Sequence, residues 1–126
     1  MADALYFELG RRLDVPVITT DQRVLADVST EQEAVAAVED GADLVATTLS
    51  GYTDHSPRSD GPDLPLLSRL ARRLSVPVIA EGRYRTPEDL TRAFAAGAHA
   101  VVVGNAVTSP LYLTRRLVRS VPGRTT

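Results

Sequence analysis

Four short apolar runs punctuate the chain, and a stretch of helical spacing follows each one. "RVLADV" (23–28), "DLVATT" (43–48), "VPVIAE" (76–81) and "HAVVV" (99–103) are brief and rich in Val, Ala, Ile and Leu. That composition over so few residues predicts strands. The stretches between them place apolar residues at helical intervals and predict helices over 30–40, 63–74, 86–96 and 109–120. Each carries local start and stop chemistry. Ser29 or Thr30 caps the first, with acids in its opening turn. Asp63 caps the second, which tolerates Pro65 in its first turn. Thr86 caps the third, with Pro87 at the first helical position. Gly41 and Gly97 are the expected stops of the first and third helices. A Gly/Pro/Ser-rich loop separates the second strand from Pro62.

Strand followed by helix, four times, predicts parallel strands joined by crossover helices. Near-continuous apolar runs are what strands buried on both faces require. The units also repeat. "TEQEAVAAVEDGADLV" (30–45) aligns with "TPEDLTRAFAAGAHAV" (86–101), and "LGRRLDVPVI" (9–18) echoes "LARRLSVPVI" (70–79). No G-x-G-x-x-G turn follows the first strand, which favours a barrel over a doubly wound sheet. The expected fold is therefore α/β, of (β/α) TIM-barrel type, with about four βα units forming a half-barrel. Residues 23–120 make up that unit. Residues 1–22 are an N-terminal helix and lead-in, and 121–126 a tail.

Composition narrows the function classes. The chain has 126 residues, 44% hydrophobic and 24% charged, with a net charge of -2. Without a basic tail or patch, no nucleic-acid partner is expected. No apolar run approaches the ~20 residues of a membrane span, and the N-terminus lacks a cationic signal start. A cytoplasmic protein is expected. Cysteine is absent, so no thiol metal site is available, and no metal is expected. All 14 basic residues are arginine; the chain has no lysine.

The run "VPVIAEGR" (76–83) raises the chemical question, because a buried apolar strand ends in an acid, a glycine and an arginine. In parallel barrels the chemistry sits on the loops at the C-terminal ends of the strands. All four runs here end in polar residues: Asp27, Thr47 with Thr48, Glu81, and Gly104 with Asn105. Any one of them is ordinary where polarity returns. Together they converge on one face with two carboxylates. Gly82, Arg83, Gly104 and Asn105 have the makings of an anion site built on backbone N–H groups.

The segments "ADVST" (26–30), "GADLVATTLSGYT" (41–53), "DGPDLPLL" (60–67), "VPVIAEGRYRTPEDL" (76–90) and "GAHAVVVGNAVTSP" (97–110) resemble the C-terminal half of the N-acetylmannosamine-6-phosphate 2-epimerase family. The resemblance implies a TIM-barrel isomerase of sialic acid catabolism. It implies interconversion of N-acetylmannosamine 6-phosphate and N-acetylglucosamine 6-phosphate by proton transfer at C2, with no cofactor. In the resembling family a lysine takes the C2 proton. Glu81 matches a catalytic carboxylate beside it, and Asp27 another polar position of the pocket. Gly82, Arg83, Gly104 and Asn105 match the phosphate site. Thr48, Ser50, Gly51 and Tyr52 match the loop over the sugar. Arg83 could instead be a structural partner of Glu81. His55 is expected to be exposed loop, and His99 to lie at the far end of the barrel.

Two departures bear on what the chain does. It is half the length of a ~250-residue barrel and supplies strands equivalent to five through eight. The lysine of the family lies in the other half. Ala46 and Asn105 also depart from the pattern, and "DVPVITTDQ" (14–22) does not match. Two further readings follow. The chain could be a non-catalytic half-barrel that binds a sugar phosphate or assembles with a partner, either a second copy or an N-terminal half. It could also be another phosphate-binding barrel enzyme, although "TTLSGYT" would then be unexplained.

Overall fold

The computed structural model describes residues 23–122. The expected N-terminal helix, the lead-in through 14–22 and residues 123–126 of the tail lie outside the described residues. Nine elements follow in order. Strand β1 is Leu25–Asp27 and helix α1 Glu31–Glu39. Strand β2 is Leu44–Ala46 and helix α2 Leu64–Arg73. Strand β3 is Val78–Glu81 and helix α3 Pro87–Ala95. Strand β4 is Ala100–Val102, followed by a short helix α4, Asn105–Thr108, and helix α5, Pro110–Val118.

The helices start where local chemistry starts them. Thr30 Oγ1 accepts from Glu33 N, and the Glu33 carboxylate accepts from Thr30 N in return. Thr86 and Asp89 repeat this reciprocal cap at α3. Asp63 Oδ1 accepts from Leu66 N at the head of α2. The two expected stops, Gly41 and Gly97, sit one residue beyond the caps Asp40 and Ala96, with φ of 99° and 101°. They occupy the left-handed position just past a helix end, where a side chain is penalised.

The sheet is wholly parallel in the order β1-β2-β3-β4, the arrangement of a barrel wall rather than of a doubly wound sheet. In register, Asp27 pairs with Ala46, Ala46 with Ile79 and Ile79 with Ala100. Side chains alternate between faces along a strand. Asp27, Ile79, Glu81 and Val102 therefore share one face, and Ala26, Val45, Val78 and Ala80 the other. The second face packs on the helices. Val45, Val78 and Ala80 are buried there with Leu66, Leu67 and Leu70 of α2 and Ala34 and Ala37 of α1. On the first face Leu25, Leu44 and Ile79 are only half-buried and Val102 is exposed. Asp27 and Ala46 on the same face are buried, so this side of the half-barrel is open chiefly toward β4. Helix α5 buries none of its residues, and Leu111, Leu113 and Leu117 stand exposed on it.

Candidate active site

The strand ends converge as the barrel geometry requires. A cleft of about 300 Å³ at the C-terminal ends of β3 and β4 is lined by Thr48, Tyr52, Glu81, Gly82, Arg83, Gly104 and Asn105. Tyr84, Arg85, Val102, Ala106 and Tyr112 complete it. Seven of the ten residues expected at a site thus meet around one space. Tyr112 was not among them. It arrives from the first turn of α5, and its only sequence signal is a place just after the last strand end.

Glu81 is held firmly at the mouth. Thr47 Oγ1 donates to the Glu81 carbonyl at 2.9 Å and accepts from Glu81 N at 3.1 Å. This ties the end of β2 to the end of β3 and sets the next residue, Thr48, beside the Glu81 carboxyl. Thr48 Oγ1 lies 3.0 Å from Glu81 Oε2 and 2.7 Å from Asp27 Oδ1. Burial pushes the Glu81 carboxyl above the usual carboxylate range, and the nearby Asp27 charge adds to the rise, while the Thr48 contact opposes it. Asp27 is raised for the same first reason, again opposed by Thr48. Asp27 is only 4% exposed and does not line the cleft; it reaches the lining through its bond from Thr48.

Arg83 lines the cleft, and its side-chain bonds run to the loop. It does not pair with Glu81. Its Nε donates to the Gly61 carbonyl and its Nη1 to the Ser50 carbonyl, both at 2.7 Å. Its Nη2 reaches Ser59 Oγ at 3.4 Å, and its guanidinium lies 5.2 Å from the Tyr52 ring centroid. The guanidinium clamps the long loop between β2 and α2 against the end of β3, and it reaches there from a left-handed backbone, φ 63°. Gly51 makes room for it, since a Cβ there would come within 2.6 Å of Nη1. Ser50 is likewise inward. Its hydroxyl is buried and donates to Asp63 Oδ2 at 2.7 Å. Ser50 and Gly51 therefore support the loop rather than line the cleft. His55 and His99 are exposed and lie outside the cleft.

A larger groove, about 760 Å³, adjoins the mouth through Arg83, Arg85, Asn105 and Tyr112 and runs down α5 past Arg115, Arg116 and Arg119. It offers positive charge but neither Glu81 nor Asp27. The smaller cleft is where a strand-end carboxyl meets candidate phosphate donors.

Known proteins fit this geometry. The family described as "Putative N-acetylmannosamine-6-phosphate epimerase" matches residues 15–122, which corrects the expectation that 14–22 stands outside the family pattern. The chain belongs to this epimerase family. Within it, a relative from Caldanaerobacter subterraneus subsp. tengcongensis is 52% identical over 101 residues, 80% of this chain and 43% of the relative. A relative from Cutibacterium acnes is 48% identical over 96 residues, 75% of this chain and 42% of the relative. The solved N-acetylmannosamine-6-phosphate 2-epimerase of Clostridium perfringens superposes with a TM-score of 0.78 at 38% identity, covering 90% of this chain and 48% of that one. The chain thus spans less than half the length of the epimerases it matches.

Proposed function

We propose that this chain supplies the C-terminal half of an N-acetylmannosamine-6-phosphate 2-epimerase barrel, with Glu81 as its acid–base residue. The observation that carries the reading is the Glu81 carboxyl, fixed at a strand end by Thr47 and held above its ordinary pKa beside a cleft. Epimerisation at C2 removes a proton next to the open-chain aldehyde and returns one on the opposite face. The negative charge rests meanwhile on the enolate oxygen. A carboxyl whose hold on its proton is strengthened by burial suits one half of that exchange. In this reading the substrate phosphate lies against the backbone N–H groups around Gly82 and Gly104–Asn105. Tyr52 and Thr48 face the sugar, and no metal or organic cofactor takes part.

The second group comes from the other half of the barrel. The chain contains no lysine, whereas the family reading assigns proton removal to one. Taken by itself the chain is then inactive, and it becomes competent with an N-terminal half. The test is deuterium incorporation at C2 of N-acetylmannosamine 6-phosphate, followed by NMR. Exchange is expected only when the N-terminal half of a relative is added. Glu81→Gln should then lower the rate about 10²–10⁴-fold, the usual contribution of one positioned acid or base. Brisk exchange by the chain alone overturns the two-half requirement. Full activity of the reconstituted Glu81→Gln enzyme removes Glu81 from the reaction.

A further inference from the structure

The Thr48 hydroxyl has one hydrogen and faces two carboxyls. Its oxygen is 2.7 Å from Asp27 Oδ1 and 3.0 Å from Glu81 Oε2. A hydroxyl donates one hydrogen bond and accepts others, while an ionised carboxylate can only accept. The shorter contact is a donation to Asp27. The longer one is then completed when Glu81 carries a proton and donates it to Thr48 Oγ1. Two ionised carboxylates would leave one contact without a full hydrogen between its oxygens.

Among the described residues no cationic side chain bonds to either carboxyl. The Arg83 guanidinium is turned to Gly61, Ser50 and Ser59. Tyr84 and Arg85 line the same cleft, and neither bonds to Asp27 or Glu81 among the described residues. From the β4 side come Gly104 and Asn105, and from α5 comes Tyr112. On the α1 side Glu33 is occupied with Ser29 and Thr30. Asp27 itself is buried, where an unpaired charge is costly.

We propose that Asp27, Thr48 and Glu81 form one proton-sharing unit, in which the Thr48 hydroxyl bridges the two carboxyls and a single proton stays with them at neutral pH. Asp27 is a positioning residue here, because it acts on substrate only through Thr48 and Glu81. The direction in which burial moves both carboxyls agrees with this arrangement. The unit has a use if the epimerase reading holds. Glu81 then meets the enolate already protonated and gives its proton to C2. The Thr48 hydrogen can turn from Asp27 to the carboxylate left behind. The proton taken from the opposite face of C2 by the other base keeps the count level. The existence of the unit does not depend on that reading.

The experiment is a ¹³C NMR titration of the Asp27 and Glu81 carboxyls in the 126-residue chain. Both resonances should follow the same two steps, the upper one well above the ordinary carboxylate range of about 4. Thr48→Ser should preserve the pattern, and Thr48→Val should weaken the coupling between the two curves. Asp27→Asn should leave Glu81 with a single step at lower pH. If Thr48→Val does not fold, Thr48→Ser and Asp27→Asn carry the test. Independent single steps near the ordinary value in the unsubstituted chain overturn the proposal. So does a Glu81 curve unchanged by Asp27→Asn. A shared two-step titration supports the unit whether or not the reconstituted enzyme exchanges C2, so failure of the unit and failure of the epimerase reading are told apart.

Discussion

Arg83 shows how a side chain can be read correctly in place while its bonding partners stay hidden. Sequence put it at the end of β3 beside Glu81, and it is there. Its clamp on the loop was hidden because the partners are backbone carbonyls 22 and 33 residues away, and only the path of the loop aims them. Glu81 was legible for the opposite reason. Its position is fixed by its own strand, and an acid closing an apolar run is visible in eight letters of sequence. Arg83→Lys tests the clamp. A lysine keeps the charge but loses the planar fork that reaches two carbonyls at once. The loss of charge-assisted hydrogen bonds is expected to destabilise the chain by about 1–3 kcal/mol, read by denaturant unfolding. Cleavage in the 49–62 loop by a protease should accelerate with it. Unchanged stability and protection would show that the loop is held by other contacts.

At the scale of elements, the four strands and four main helices were all present in the pattern, because buried runs and caps are local signals. The strand ends were not. The expected runs were longer than the ladders, since extended backbone continues past the last full pair. Val28 N still donates to Ala46 O, and Thr47 N to Ile79 O, just beyond the assigned strands. Helix α4 was unreadable because the four residues "NAVT" are too few to show a period. The repeat between 30–45 and 86–101 gives a comparison inside one molecule. Gly41 and Gly97 end equivalent helices with nearly the same backbone angle. A Cβ at Gly41 would meet nothing within 4 Å, whereas one at Gly97 would lie 2.7 Å from Ala71 Cβ on α2. Gly41→Ala is therefore expected to cost about 1–2 kcal/mol, from the left-handed backbone alone. Gly97→Ala adds overpacking and is expected to cost about 2–4 kcal/mol. Equal melting temperatures for the two variants would show that α3 shifts away from α2 freely.

The whole molecule was legible as half of something, because four βα units cannot close a barrel. Among the described residues, β1 and β4 each pair on one side only. Val102 on β4, Val107 on α4 and Leu111, Leu113 and Leu117 on α5 are exposed at that end of the sheet. Unpaired strand edges next to exposed apolar side chains favour association. Light scattering should show a mass that rises with concentration, and an added N-terminal half from a relative should suppress the rise by occupying the same edges. A monodisperse monomer at high concentration would mean that the edges are covered within the chain. The consecutive strand order has a bearing on how the chain acquires its shape. Among the described residues every strand after β1 docks on the one made just before it, so no early strand waits for a distant late one. Assembly can proceed in the direction of synthesis, unit by unit, as a ribosome releases the chain. Helix α5, last in order and with no buried side chain, contributes least to that cooperative unit and is where opening would begin.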